Sequence, residues 1–91
     1  MVNALKLNER DNVAVLLKDA GAGEEVVVQG GKGVRALEPV KAGHKVAVKQ
    51  IDAGTPVFRY GEEIGAATET IAPGTWVHTH NVRSQRMGDL E

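Results

Sequence analysis

Cysteine is absent from this chain of 91 residues, which contains only one phenylalanine, one tyrosine and one tryptophan. Without cysteine there is neither a disulfide framework nor a thiolate metal site, which argues against a small secreted scaffold and for a reducing, cytoplasmic location. Phe58, Tyr60 and Trp76 are too few to form a platform on which nucleic-acid bases stack.

An excess of charge of either sign is also lacking. Eleven Lys and Arg residues oppose twelve Asp and Glu residues, for a formal net charge of -1, and the basic residues are dispersed along the chain. We therefore expect no nucleic-acid partner. No apolar stretch is long enough for a signal peptide or a membrane span, so we expect no membrane association.

Short β-branched runs separated by glycines are what the chain does contain, and this pattern is typical of an all-β domain. The predicted strands are Ala4–Leu7, Asn12–Lys18, Glu25–Gln29, Gly33–Leu37, Lys45–Ile51, Val57–Tyr60, Ala66–Ile71 and Thr75–Val82. The pair Gly30-Gly31 predicts a hairpin between the runs on either side. Alternation in Lys45–Lys49 predicts that its valines face the core and its lysines face water. We expect one domain over 1–91, with a core over about 5–82 and a C-terminal tail over 83–91.

A seven-residue unit occurs four times, as Ala20–Val26, Val40–Val46, Ile51–Val57 and Ile71–Val77. Each unit has an apolar residue, two spacers, a glycine, two further residues and an apolar residue that opens a strand. The simplest role of the glycine is a positive φ in a turn, and we predict this for Gly43, Gly54 and Gly74. Four such turns predict a compact, folded-over sheet rather than a flat two-layer sandwich.

His78 and His80 are the candidate metal ligands. On a strand, residues two apart lie on one face with Cα atoms about 6.5 to 7 Å apart. Two imidazoles so placed reach one ion, because each nitrogen binds at about 2 Å. Two solvated histidines on an exposed strand are the alternative, and a complete site needs a third ligand.

His44 and Lys45 follow the turn glycine Gly43 and are candidates for catalysis. A cationic pair at a tight turn suits a carboxylate, and a histidine there is able to transfer protons near neutral pH. An exposed turn without a chemical role is the alternative interpretation.

Arg59, at a strand end before Tyr60, is a candidate for bidentate binding of a carboxylate. Alternatively it pairs with Glu62 or Glu63 beside it. Trp76 is expected in the core or at an interface. The glycine-rich segment 30–33 lacks the spacing of a phosphate-binding loop and is predicted to be a turn.

Five short segments then occur in a distinctive order: Asp11–Val15, Gly43–Ala47, Arg59–Gly61, Ile64–Ala67 and Gly74–Asn81. Together they resemble the N-terminal SAF domain of the altronate/galactarate dehydratase (UxaA) family, over roughly 5–82. That domain has a β-clip fold of short, strongly bent strands, which agrees with the repeat of glycine turns. The resemblance therefore implies an all-β, SAF-like β-clip fold.

The same resemblance implies β-elimination from a hydroxy-acid, as loss of water from altronate or galactarate or of sulfite from sulfolactate. In this family a large catalytic domain follows, although some relatives encode the small domain separately, as in the alpha subunit of sulfolactate sulfo-lyase. We thus expect a small subunit or N-terminal domain that is inactive without its large partner. A non-catalytic binding or assembly module is the alternative, and a homo-oligomer remains open.

Residue roles follow from the resemblance as expectations. His44 and Lys45 match the family's Gly-His-Lys segment as catalytic residues, and Arg59 and Tyr60 match its Arg-Tyr-Gly segment as substrate-binding residues. His78 and His80 match the altronate-type ending and are expected to bind a divalent metal such as iron(II), with the partner supplying the other ligands. Such an ion acts as a Lewis acid on the enediolate. We expect the three histidines to share an exposed region that the large partner covers.

Overall fold

The computed structural model describes residues 1–29 and 31–84, and this part of the chain contains nine β-strands and no helix. The strands are β1 (Val2–Leu5), β2 (Val13–Leu16), β3 (Glu25–Gln29), β4 (Val34–Arg35), β5 (Lys45–Ala47), β6 (Pro56–Arg59), β7 (Glu62–Ala67), β8 (Trp76–Val77) and β9 (Val82–Arg83). One sheet has the order β4-β3-β1-β2-β5-β8 and the other the order β6-β7-β9. The predicted all-β class is confirmed, and its short strands and tight turns accord with a β-clip.

A search of the described residues for a helix long and apolar enough to cross a membrane finds none.

Four turns of one type lead into β3, β5, β6 and β8. Their glycines have φ between 84° and 92°, at Gly23, Gly43, Gly54 and Gly74. In each turn the N–H after the glycine donates to the carbonyl three residues earlier, as from Thr75 to Ala72 at 3.2 Å. This is the geometry of a type II turn, in which Pro73 occupies the second position that favours proline. The positive φ predicted at the three later glycines is confirmed.

The four turns are paired into two halves of like design. Ala20 and Val40 exchange backbone hydrogen bonds of 2.8 and 2.9 Å, and Ile51 and Ile71 exchange bonds of 2.9 and 2.8 Å. Both positions of the second pair lie 31 residues after those of the first. Each half has its own apolar cluster, the first around Leu16 and the second around Val57.

Strand β5 lies between the two clusters. Val46 belongs to the first cluster and Ala47 to the second, and neither side chain has any exposed surface. The prediction that the residues alternating with the valines in Lys45–Lys49 face water is therefore wrong at Ala47. Because this part of the sheet is covered on both faces, a small apolar residue replaces the polar one that alternation leads one to expect.

Asn12 joins the two sheets. Its side-chain Nδ2 donates to the carbonyl of Pro56 at 3.0 Å, and its Oδ1 accepts the N–H of Phe58 at 2.8 Å. Its backbone N–H also donates to the carbonyl of Phe58 at 3.3 Å. An asparagine that is only 8% exposed thus takes the place of a neighbouring strand for β6.

Asp11 holds the turn between β6 and β7. Its fully buried carboxylate accepts the N–H of Tyr60 at 2.8 Å and that of Gly61 at 2.7 Å. These residues have φ of 55° and 81° and connect the paired Arg59 and Glu62, which is the pattern of a type I′ hairpin turn. The carboxylate thus compensates for a tyrosine in the left-handed region, which side chains with a Cβ resist.

Several strand bounds differ from those predicted. The first strand is Val2–Leu5 rather than Ala4–Leu7 because Val2 is a core residue, so the core begins before residue 5. The run predicted at 66–71 is strand 62–67, the second arm of the β6–β7 hairpin. The run predicted at 75–82 is divided into β8, a turn and β9.

The remaining strands are close to prediction in place but shorter or shifted by one residue, except that 25–29 is as predicted. β3 and β4 form the expected antiparallel pair, although Gly30 lies outside the described residues. The parallel pairing of β1 with β3 was not expected. Of the predicted tail 83–91, Arg83 belongs to β9 and 85–91 lie outside the described residues.

Alanine at Gly74 should destabilise the domain more than alanine at Gly54. Both glycines have positive φ, which alone costs a residue with a Cβ about 1 kcal/mol. A Cβ at Gly54 meets nothing within 4 Å, whereas one at Gly74 overlaps the carbonyl oxygen of Arg35. We expect a loss of about 1 kcal/mol for Gly54→Ala and at least about 2 kcal/mol for Gly74→Ala in urea unfolding. Equal losses would show that the close approach between the two halves has no energetic weight.

Candidate functional site

The indole of Trp76 is the centre of a group of rings, here called the histidine cluster: His44, Trp76, His78 and His80. His78 stacks on the indole with centroids 5.2 Å apart and planes at 11°, and His80 is tilted against it at 4.9 Å. His44 approaches it edge-on at 5.7 Å and lies 5.5 Å from His78. His80 is exposed, and the other members are partly buried. The three histidines thus share one region, outside the apolar core.

Asn81 shapes the turn that carries two of these histidines. Its buried side chain accepts the N–H of His78 at 3.0 Å and donates to the carbonyl of Trp76 at 2.9 Å. The N–H groups of Asn81 and Val82 both donate to the carbonyl of His78 at 3.1 Å. β8 therefore ends at Val77, and the period-two argument for His78 and His80 is wrong. The turn, rather than strand alternation, brings both rings to the indole.

His44 is tied to the cluster by a directional bond. It lies at the end of a glycine turn, one residue before β5, and its carbonyl accepts the N–H of Leu16 at 3.0 Å. Its ring Nδ1 accepts a hydrogen bond from the indole Nε1 of Trp76 at 3.2 Å. The N–H of the Trp76 backbone donates to the carboxylate of Glu38 at 3.1 Å. Trp76 is therefore held through both its ring and its backbone.

A depression of about 260 Å³ opens beside the cluster and is lined by Pro39, Lys41, His44 and Trp76. Pro39 and Trp76 form the apolar wall of this depression. Lys41 and the His44 ring bring polar groups to the same space. An apolar wall with a few polar groups is the usual character of a small-ligand site.

Lys45 belongs to a second group, with Arg59 and Tyr60. In the antiparallel ladder of β5 and β8, Lys45 pairs with Val77, and Val46 pairs with Trp76. Because neighbouring residues of a strand point to opposite faces, Lys45 faces away from the histidine cluster. Burial lowers the pKa of Lys45 below its ordinary value, and the positive charge of Arg59 lowers it further.

Arg59 is partly buried beside the exposed Tyr60. Its guanidinium lies 5.5 Å from the centroid of the Tyr60 ring, and its Nε is buried without a hydrogen-bond partner. Within the described residues Arg59 forms no ion pair with Glu62 or Glu63, the alternative considered from sequence. A buried N–H without an acceptor is costly, and a bound carboxylate would satisfy it.

The histidines of the described chain do not make up a complete metal site. Within residues 1–29 and 31–84 no group of three or more His, Asp or Glu side chains is arranged to hold a metal ion. Nδ1 of His44 accepts the hydrogen bond from the indole of Trp76, and His78 and His80 are the pair that the sequence indicates as metal ligands. Imidazoles suit a divalent transition metal, so the pair fits such an ion in donor type but not in number.

Four residues of the site had no functional role in the sequence analysis: Glu38, Lys41, Trp76 and Asn81. The preference of asparagine for turns is a local signal that favours the turn at 78–81. Lys41 lies three residues before His44 in the same glycine turn, so its place beside the cluster follows from the predicted turn. The contact of Glu38 with Trp76 depends on the pairing of distant segments, for which the sequence carries no local sign. Trp76 is partly buried against the first apolar cluster and is also the ring on which the histidines pack.

Comparison with known proteins agrees with this architecture. The chain matches the family model of the altronate/galactarate dehydratase SAF domain over residues 2–85. It is 41% identical over 87 residues to altronate dehydratase of Escherichia coli (strain K12), which covers 96% of this chain and 17% of that protein. It is 31% identical over 91 residues to altronate dehydratase of Bacillus subtilis (strain 168), covering 100% and 18%.

A shorter relative is the (2R)-sulfolactate sulfo-lyase subunit alpha of Paracoccus pantotrophus, 43% identical over 51 residues that cover 56% of this chain and 76% of that subunit. The chain belongs to the altronate/galactarate dehydratase SAF domain family, as its motifs suggested. It is thus a domain related to dehydratases and lyases, and it spans less than a fifth of the length of the altronate dehydratases it matches.

Lys45 should titrate below the ordinary lysine value in NMR spectra of its side chain. Arg59→Gln should raise the pKa of Lys45 only in part, because burial is the larger cause and remains. Arg35→Gln, at an exposed position in the other half, is the matched control and should leave it unchanged. Between the lowered pKa and the ordinary value the unfolded chain binds more protons, so the free energy of unfolding should rise with pH there. Lys45→Met should remove that rise; an ordinary pKa for Lys45 would contradict this account.

Proposed function

We propose that this chain is the accessory domain of a lyase that eliminates water or sulfite from a hydroxy-acid and is completed by a larger catalytic domain or subunit. Family membership over residues 2–85 supports the class of reaction. The observation that carries the proposal is the histidine cluster, which lies beside a depression of about 260 Å³ and supplies an incomplete set of metal donors. An incomplete site on so small a part of a larger enzyme suggests that the rest comes from the larger part.

Lys45 is proposed to remove the proton beside the substrate carboxylate. A β-elimination begins when a base takes this acidic proton and leaves an enediolate. Burial and the charge of Arg59 favour the neutral amine of Lys45 by lowering its pKa. The neutral amine has the free electron pair that a general base needs.

Arg59 and Tyr60 are proposed to bind the substrate carboxylate. The buried Nε of Arg59 has no acceptor within the described part of the chain, and the guanidinium fork matches a carboxylate. Tyr60, 43% exposed, sits next to it at the tip of the hairpin and offers a hydroxyl. A carboxylate held here would lie near Lys45, because Arg59 is close enough for its charge to lower the pKa of Lys45.

His78 and His80 are proposed to hold a divalent metal such as iron(II) together with ligands from the larger part. When bound, such an ion supplies Lewis-acid stabilisation of the charge that develops on the enediolate. His44 faces the same region and is proposed to contact a substrate oxygen. His44 and Lys45 are consecutive residues where β5 begins beside the end of β8, so the histidine cluster and Lys45 lie on the two sides of that end of the β5–β8 pair. A substrate in contact with both would lie across that end.

Reconstitution tests the proposal. The chain is mixed with the part of E. coli altronate dehydratase that remains after removal of its matching segment, and turnover of altronate is measured. We expect no turnover by the chain alone and turnover by the mixture. Loss of a general base typically costs 10²- to 10⁴-fold, so Lys45→Met should lower turnover by about 100-fold or more.

Lys49→Met, an exposed position just after the same strand, is the matched control and should retain the turnover of the unaltered mixture. Turnover by the chain alone would overturn the accessory role. Full turnover by a mixture that contains Lys45→Met or His44→Gln would instead indicate a non-catalytic assembly module.

A further inference from the structure

We infer that Trp76 is a positioning residue that fixes the proton of His44 on Nε2, so that His44 acts as a neutral hydrogen-bond donor to a substrate oxygen. The identity of that oxygen rests on the function proposed above, whereas the state of the ring does not. This role differs from the proton transfer that the sequence alone suggests for His44.

The direction of one hydrogen bond determines the state of the ring. The indole N–H of Trp76 is only a donor, and it lies 3.2 Å from Nδ1 of His44. Nδ1 must therefore offer its electron pair. A neutral imidazole carries one proton, which this bond assigns to Nε2.

The indole is anchored independently of any ligand. Its ring packs against the first apolar cluster and stacks on His78. Its backbone N–H donates to Glu38 at 3.1 Å, and its carbonyl accepts from the buried Asn81 at 2.9 Å. The donor that orients His44 is thus in place before a substrate arrives, which is the arrangement that makes a supporting hydrogen bond effective.

The same bond argues against three other roles for His44. A metal ligand or a base at Nε2 needs an electron pair where the proton sits. A proton donor would have to become an imidazolate, or begin as an imidazolium whose Nδ1–H opposes the indole N–H. A neutral imidazole that polarises a substrate oxygen requires none of these changes and is an established catalytic device.

The acceptor is an anionic oxygen. Lys41 lines the same depression as His44 and contributes a positive charge. A carboxylate oxygen that gains charge as the enediolate forms is the acceptor that both groups stabilise. This divides the proposed work between the two faces: Lys45 takes the proton, and the Nε2–H of His44 stabilises the charge that results.

Nitrogen NMR of the histidine rings tests the assignment on the chain itself. At alkaline pH we expect His44 to show a protonated Nε2 and an unprotonated Nδ1, with a scalar coupling from the indole nitrogen across the hydrogen bond. Trp76 is the only tryptophan, so its replacement by benzothienylalanine removes one N–H and keeps the ring shape. A form of His44 protonated on Nδ1 should then appear.

Two variants separate this bond from general packing. His44→Gln should abolish the scalar coupling across the hydrogen bond, whereas His80→Gln, which also removes a ring that touches the indole, should leave that coupling and the tautomer of His44 unchanged. A ring of His44 protonated on Nδ1 in the unaltered chain would overturn the inference. So would an unchanged tautomer after the replacement of Trp76 in a domain whose amide spectrum shows it folded.

In the reconstituted mixture the benzothienylalanine replacement should lower kcat by about 10- to 100-fold with little change in KM. An unchanged kcat in an active mixture would overturn the catalytic part of the inference. If the NMR result holds and the mixture never depends on this chain for turnover, the proposed function fails and the proton assignment stands.

Discussion

Two consecutive buried side chains, those of Asp11 and Asn12, hold the second sheet against the first. Asn12 satisfies the backbone of β6 on both sides of Val57, and Asp11 accepts both N–H groups of the turn that follows. A buried N–H left without a partner costs about 1 to 3 kcal/mol, so these bonds determine where the β6–β7 hairpin lies. The positions of Arg59 and Tyr60 depend on that hairpin. The apolar clusters supply most of the stabilisation, but these two polar residues specify how the halves meet.

The repeat of glycine turns could be predicted from sequence because a positive φ is a property of a few neighbouring residues. The same reasoning failed at His78 and His80, where the buried amide of Asn81 ends β8 and forms a turn. It failed again at Ala47, because nothing in Lys45–Lys49 shows that both faces of β5 are covered. The parallel partner of β1 also depends on distant segments. The choice of His44, Lys45, Arg59 and the two later histidines came from their chemistry and from the family resemblance, whereas their division into two groups required the structure.

That division bears on the function proposed for this domain. The histidine cluster and Lys45 lie on opposite faces of the β5–β8 ladder, at the end where β5 begins. Neither group is a complete site within the described residues: the first has no three side chains arranged to hold a metal ion, and the second has a buried Arg59 Nε without an acceptor. The chain spans 17 or 18% of the length of the altronate dehydratases it matches. The incompleteness of both groups is explained if a larger catalytic part provides the remaining groups, as proposed above. Trp76 connects the core to the site, because its indole packs against the first apolar cluster and donates the hydrogen bond that orients His44.

The proposed function requires that the larger catalytic part covers the end of the β5–β8 ladder. Amide hydrogen exchange of this chain, measured with and without the truncated altronate dehydratase, tests it most directly. We predict slower exchange at His44 and at residues 78–80, with no change at the exposed segment 7–10. Slower exchange confined to residues 7–10, with the ladder end unchanged, would contradict it.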